Sequence, residues 1–457
     1  MPGSDVSSSS SSLGLASEVT ELLQGLIRNA CVNDGTPESG QEVRNAELLA
    51  DYLAGCGLEF QRFEPRSGRV SLLARLPGID PQAPTLLLMG HTDVVPANPA
   101  DWEHDPFGGE LIDGVVRGRG AVDMLSTTAA MAVALRHLAL RGRPLRGTLL
   151  YLAVADEEAL GSLGAKWIVE HEPDPVRADY VVTESGGFRL PLPSTEPGPL
   201  LPVMVGEKGV HWLRLTVRGR AGHGSTPYGT DNATIKVADV VRRIVETVPR
   251  AELGEAWMGL VTDAHLPTDL AASLRDPAAL ERFLPTAGPG LAGFLHALTH
   301  TTVTPTVVRS GVKTNIVPDR AELDLDVRTL PGETSEGVVA RLRDVLGELS
   351  AGIEIETLKE DLATQSAIDS PLYESIRGVT RRLVPDARLV PMLMVGATDA
   401  RFFRHVGATA YGAGLFSERI GFADFGRMFH GTNERIDQES LRLSTEFWSG
   451  LAADLLA

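Results

Sequence analysis

The chain of 457 residues carries only two cysteines, Cys31 and Cys56. That scarcity excludes a disulfide framework and a thiolate zinc site, and it suits a reducing compartment. Cations are scarce as well: 42 lysines and arginines stand against 60 aspartates and glutamates, a formal net charge of -18. Such an acidic balance argues against nucleic acid and against anionic membrane surfaces as partners. It also makes any arginine in a pocket more informative. No apolar run approaches the roughly 18 residues of a membrane-crossing helix. The opening stretch, MPGSDVSSSSSSLG, lacks the basic and apolar regions of a signal peptide. Its serine run makes residues 1–12 read as a disordered tail. A cytoplasmic protein is expected. What is present, 43% hydrophobic and 22% charged residues, is an ordinary globular composition, and the length calls for at least two domains.

Two styles of strand support that division. TLLLMG (85–90), GTLLYLAVA (147–155) and DYVVT (179–183) are short and continuously apolar, as strands covered on both faces are. Helical patterns at 124–140 and 160–171 separate them, so the expected fold is α/β, with a mostly parallel sheet between helices. In AELDLDVR (321–328) and WLRLTVR (212–218), by contrast, apolar and polar residues alternate, the mark of an antiparallel sheet with one wet face. Between these two, Val237, Val240, Val241, Ile244, Val245 and Val248 form one helical stripe. The expected organisation is a main domain over 13–206 and 329–457, with an inserted α+β domain over 207–328. The segment 249–304 is irregular and is assigned to the insert only as containing some helix.

In open α/β sheets, ligands bind beyond the carboxyl ends of the strands. His91 and Asp93 follow the first buried strand, Glu157 and Glu158 the second, and Glu184 the third. A glycine-punctuated loop delivers Asp123 to the head of a helix, and His430 precedes the last helical stretch. Singly, each has an ordinary explanation. A histidine after a strand is often structural, an acidic run often opens a solvated helix, and an aspartate before a helix is often a cap. Together they fall at one end of the expected sheet. Burying several carboxylates there without a cation is costly, and metal ions remove that cost.

The motifs GHTDVVP, DPFGGELIDGVVRGRGAVDM, DEE, TES, GHGSTP, TNIVPD, DVRTLPG and HGTNERI, in that order, closely resemble the co-catalytic zinc family of aminoacylases. Acetylornithine deacetylase, succinyl-diaminopimelate desuccinylase and glutamate carboxypeptidase belong to the same family. The resemblance implies a zinc-exopeptidase fold with an inserted lid or dimerisation domain, and two zinc ions bridged by Asp123. His91 and Glu184 would complete one site, Glu158 and His430 the other. Glu157 would be the general base, and Asp93 would hold the His91 ring. Oxygen and nitrogen donors suit zinc, with cobalt or manganese as substitutes.

The same resemblance gives His223 an oxyanion-stabilising role, reached across a homodimer, where the residues alone favour a turn histidine. It gives Arg328 and Asn315 the substrate carboxylate, and Gly414 backbone contacts nearby. Arg328 could equally be neutralised by Asp326 on its own strand face. After Asp123, Leu125 and Ser126 depart from the family's Lys-Gly, a change expected to alter pocket charge or preference rather than metal binding. The implied activity is hydrolysis of an amide in a short peptide or N-acyl amino acid carrying a free carboxylate. The rival from another class is a metal-dependent homologue that binds a small acid without catalysis.

Overall fold

The computed structural model describes residues 6–247 and 249–457. Its centre is a nine-stranded mixed sheet. The strand Thr85–His91 runs parallel to Thr148–Val154 on one side and to Tyr180–Thr183 on the other. Thr409–Gly412 extends this parallel block beyond Tyr180–Thr183. Glu59–Arg66 and Arg69–Leu76 close one edge antiparallel, and Leu200–Glu207 leads to the other, where it pairs in parallel with Arg388–Met394. The four-residue apolar run Leu86–Met89 is fully buried because the sheet is covered on both faces. Helices Leu125–Leu140 and Gln438–Leu455 pack on one face, around Leu88, Met131, Leu135 and Trp448. Helices Ala165–His171 and Ala400–His405 cover the other, around Leu87, Met89, Ile168 and Phe403. The α/β, mostly parallel expectation therefore holds.

The second sheet is antiparallel, in the order Thr302–Ser310, Arg320–Thr329, Gly209–Arg218, Ile353–Asp361. Leu213, Leu215, Leu323, Leu325 and Val327 point to one face, where helices Ala233–Glu246 and Ser335–Leu346 cover them. Along the expected stripe Val237, Val240 and Ile244 are buried, while Val245 is exposed; Val248 lies outside the described residues.

Two boundaries differ from the sequence reading. The second unit does not stop at 328, because Ser335–Leu346 packs into its core and Ile353–Asp361 adds its fourth strand. The Pro-Gly at 331–332 is a turn into that helix and not an exit from the unit. Nor does the segment 249–304 belong wholly to the insert. Ala256, Trp257, Leu260, Leu274, Leu280 and Leu295 join the core of the large sheet instead. Of their helices, Glu255–Asp263 and Pro289–Thr299 pack against the strand Arg388–Met394. The serine run read as a disordered tail lies, from Val6 onward, in the first helix, Val6–Arg28, and residues 1–5 are outside the described residues. Among the described residues no helix is long and apolar enough to cross a membrane.

Candidate metal centre

Three parallel strands end side by side, and their polar continuations meet. His91 is the last residue of its strand, Glu157 and Glu158 form a short turn after Thr148–Val154, and Glu184 follows Tyr180–Thr183. A small sheet brings in the remaining two residues. Arg435–Asp437 pairs with Val115–Arg117, which ties the chain just past His430 to the loop that carries Asp123. Glycine is required where Glu184 is held: a Cβ on Gly412 would lie 2.1 Å from the Glu184 carbonyl oxygen.

Two triads of metal-ligand type share Asp123: His91, Asp123 and Glu184, and Asp123, Glu158 and His430. His91 Nε2 lies 3.2 Å from Asp123 Oδ1 and 3.9 Å from Glu184 Oε1. His430 Nε2 lies 3.2 Å from Asp123 Oδ2 and 3.0 Å from Glu158 Oε2. Glu157 belongs to neither triad, although its Oε2 is 3.9 Å from His91 Nε2. Asp123 thus joins the two triads, with Glu157 beside His91.

The donor chemistry fits divalent cations. His91 Nδ1 is 3.0 Å from the backbone carbonyl of Asp93, which can only accept. Nδ1 therefore carries the hydrogen, and Nε2 turns its lone pair toward carboxylate oxygens. Acceptors that face one another need a cation between them. In the chain alone that cation is a proton, and both rings are driven to take one. Hydrogen bonds to Asp123 and then Glu158 raise His430 to about 10. Burial opposes the same rise at His91, yet Asp123, Glu184 and Glu157 together carry it well above the ordinary histidine range. Burial first, then neighbouring negative charge, pushes the carboxyls of Glu157, Glu158 and Glu184 upward. A pair of dications between the triads would relieve all of these at once.

The support around the centre was less legible. Asp93 holds the His91 ring by its backbone oxygen, with its carboxylate farther away at 3.6 Å. That carboxylate accepts instead from the backbone N–H of Glu157 (3.3 Å) and Glu158 (3.1 Å) and from Asn33 (2.8 Å). Beneath them Arg69 bridges Glu42 and Asp156, each at 2.7 Å, in a fully buried network. Glu434, also fully buried, accepts from the backbone N–H of Gly120, Val122 and Asp123 and from Arg119. Nothing in the sequence marks Asn33 or Arg69, and HGTNERI contains Glu434 without showing its role, because their partners lie far along the chain.

An open cleft of about 270 Å³ lies over the centre, lined by Asp123, Glu157, Glu158, Glu184 and His430 together with Arg328. Arg328 does pair with Asp326 at 2.8 Å while it faces the cleft. His223 and Asn315 are not among the lining residues. They sit side by side on an exposed two-stranded ribbon, where the Gly224 N–H donates to the Asn315 carbonyl and His223 Nδ1 contacts Ser225 Oγ at 2.7 Å. Gly414 is also absent from the lining and packs by its backbone against Gly187. Leu125 and Ser126 are buried at the head of their helix, so they do not set the charge of the cleft.

This is the fold and donor arrangement of a metallopeptidase-type hydrolase. Residues 87–454 match the model of peptidase family M20/M25/M40, and the chain belongs to that family. It is 27% identical over 390 residues to the human N-fatty-acyl-amino acid synthase/hydrolase, covering 82% of this chain and 75% of that protein. It is 25% identical over 432 residues to mouse aminoacylase-1, covering 93% and 92%. Among solved structures it resembles an M20 family metallo-carboxypeptidase from Sulfolobus solfataricus, with a TM-score of 0.73 and 19% identity over 96% of this chain and all of the other. Human carnosine dipeptidase 1 follows the same fold, with a TM-score of 0.64 and 19% identity over 96% of this chain and 97% of the other.

Proposed function

We propose that this chain is a zinc-dependent amide hydrolase acting on N-acyl amino acids or short peptides with a free carboxylate. The observation that carries the reading is Glu157. It is a carboxylate mostly, not fully, enclosed among the ligand groups, outside both triads, and held above its ordinary range by desolvation and by Glu184. Metal binding alone has no need of it. His91, Asp123 and Glu184 would hold one divalent ion, and Asp123, Glu158 and His430 the other, with zinc suited to the oxygen and nitrogen donors. When bound, such a pair polarises a carbonyl and lowers the pKa of water.

Glu157 takes the proton of the attacking water and passes it to the leaving amine, the two halves of general acid–base catalysis. Asp93 fixes the height of Glu157 through its backbone N–H, so the carboxylate stays aimed at the cleft. Arg328 offers a planar fork for the substrate's carboxylate. Its pairing with Asp326 keeps the guanidinium in place until a substrate competes for it. His223 and Asn315, on the exposed ribbon, act on the cleft of a partner copy, which makes the working unit a homodimer.

The test is hydrolysis of N-acetyl amino acids, N-succinyl amines and dipeptides by zinc-loaded protein, with and without a chelator. Turnover abolished by chelation and restored by zinc supports the reading. Turnover indifferent to chelation, or none at all with both metals bound, rejects it.

A further inference from the structure

A second cavity, of about 340 Å³, opens beside the metal centre and shares Met394, Gly396 and Phe429 with the cleft over it. Phe429 immediately precedes the ligand His430, and the cavity's Ser185 immediately follows the ligand Glu184. The two spaces thus adjoin along these shared residues. Its lining differs from that of the cleft. Among the described residues around it none carries a charge, and five of the chain's thirteen phenylalanines face it. In a chain with 5% aromatic residues, that concentration marks a built surface.

Three of the phenylalanines, Phe422, Phe425 and Phe429, come from the helix Phe422–Met428 and its end, and Phe188 and Phe294 join them from elsewhere in the chain. Phe188 lies 4.7 Å from Phe425, Phe425 4.9 Å from Phe429, and Phe294 5.2 Å from Phe422, ring centre to ring centre. Phe294 comes from the helix Pro289–Thr299, so the long segment after residue 249 closes this cavity in addition to covering the sheet. The lining also includes Met204, Met392 and Met394, flexible thioethers that adapt to chains of different shape.

We infer that this cavity binds the acyl part of the substrate, and that the preferred acyl group is a long or bulky apolar one. The assignment rests on the amide-hydrolase reading above. The carboxylate end of such a substrate cannot enter a cavity without a charged or cationic partner, and Arg328 lines the cleft only. The amino-acid half therefore stays with Arg328, the amide lies over the metal ligands, and the acyl half is the part left to fill the apolar space.

The measurement is kcat/KM for one amino acid carrying acetyl, hexanoyl, decanoyl or dodecanoyl groups, beside a set of N-acetyl amino acids of increasing side-chain size. Each added methylene is expected to raise kcat/KM about fourfold until the cavity is filled, the value of about 0.8 kcal/mol per buried methylene at about 1.4 kcal/mol per decade. Gly426 lies on the cavity wall, and a Cβ there meets nothing within 4 Å. Gly426→Leu is therefore expected to lower the dodecanoyl-to-acetyl ratio at least tenfold. A flat acyl series, or a steep dependence on side-chain size instead, overturns the assignment while leaving the hydrolase reading standing.

If no substrate is cleaved, the hydrolase reading fails, and calorimetry with N-dodecanoyl amino acid still decides the cavity. Binding with a negative heat-capacity change, weakened in Gly426→Leu, upholds it as an acyl site. Absence of binding ends it.

Discussion

Glu434 accepts a hydrogen bond from the backbone N–H of Asp123 at 2.8 Å, across 311 positions of sequence. The same carboxylate takes the N–H groups of Gly120 and Val122 and the guanidinium of Arg119. One buried acid thus sets the path of the loop that presents Asp123 to both triads. Glu434→Gln keeps the shape but loses half of this acceptor set. Metal affinity is expected to fall about 10–100-fold, the usual size for groups that orient a ligand, as measured by competition with a chelating indicator. Unchanged affinity would remove Glu434 from the support of the site.

Glu157→Gln separates proton transfer from metal binding. Two metal ions per chain should remain by elemental analysis, while kcat drops by about 10²–10⁴. If the variant turns over near the parent rate, another group moves the proton.

Arg328→Lys replaces a fork with a point charge. The KM for carboxylate substrates should rise about tenfold with kcat nearly constant, the mark of binding lost equally from ground and transition states. A substrate whose carboxylate is replaced by a carboxamide should show little difference between the two proteins. An equal penalty on both substrates would mean that Arg328 supports the cleft without gripping the charge.

His223 is exposed and away from the lining of its own chain's cleft, so its role is best tested between copies. His223→Ala alone should lower kcat about 10²-fold or more with metals retained, the scale of one lost oxyanion donor. Mixing this variant with Glu157→Gln should restore part of the activity, since a heterodimer would hold one complete site. Failure of the mixture to exceed its components, in protein shown by size-exclusion mass to be dimeric, rules out action across the interface.

Several of the polar residues that gather at the end of the large sheet are legible in the chain. Strand ends are legible because a buried parallel strand must be apolar throughout, so the first polar residues after it stand out, and at Leu86–His91 they do. Other parts were not. Asp93 looked like a carboxylate holding a ring, but its carbonyl does that and its carboxylate grips the turn of Glu157 and Glu158. The choice between a residue's two acceptors is made by local geometry, which residue type leaves open. The strand Ile353–Asp361 was missed because a Pro-Gly turn resembles a domain exit until its partner Gly209–Arg218 is seen.

The sequence by itself determined the layered α/β fold, the wet-faced second sheet and which polar residues follow the buried strands, because these depend on local periodicity. Tertiary structure alone decided which loops Glu434 and Arg69 brace, where the second unit ends, and that Phe188, Phe294 and Phe425 share one cavity. Those outcomes depend on contacts between residues tens to hundreds of positions apart, and such contacts leave no period in the chain for a reader to find.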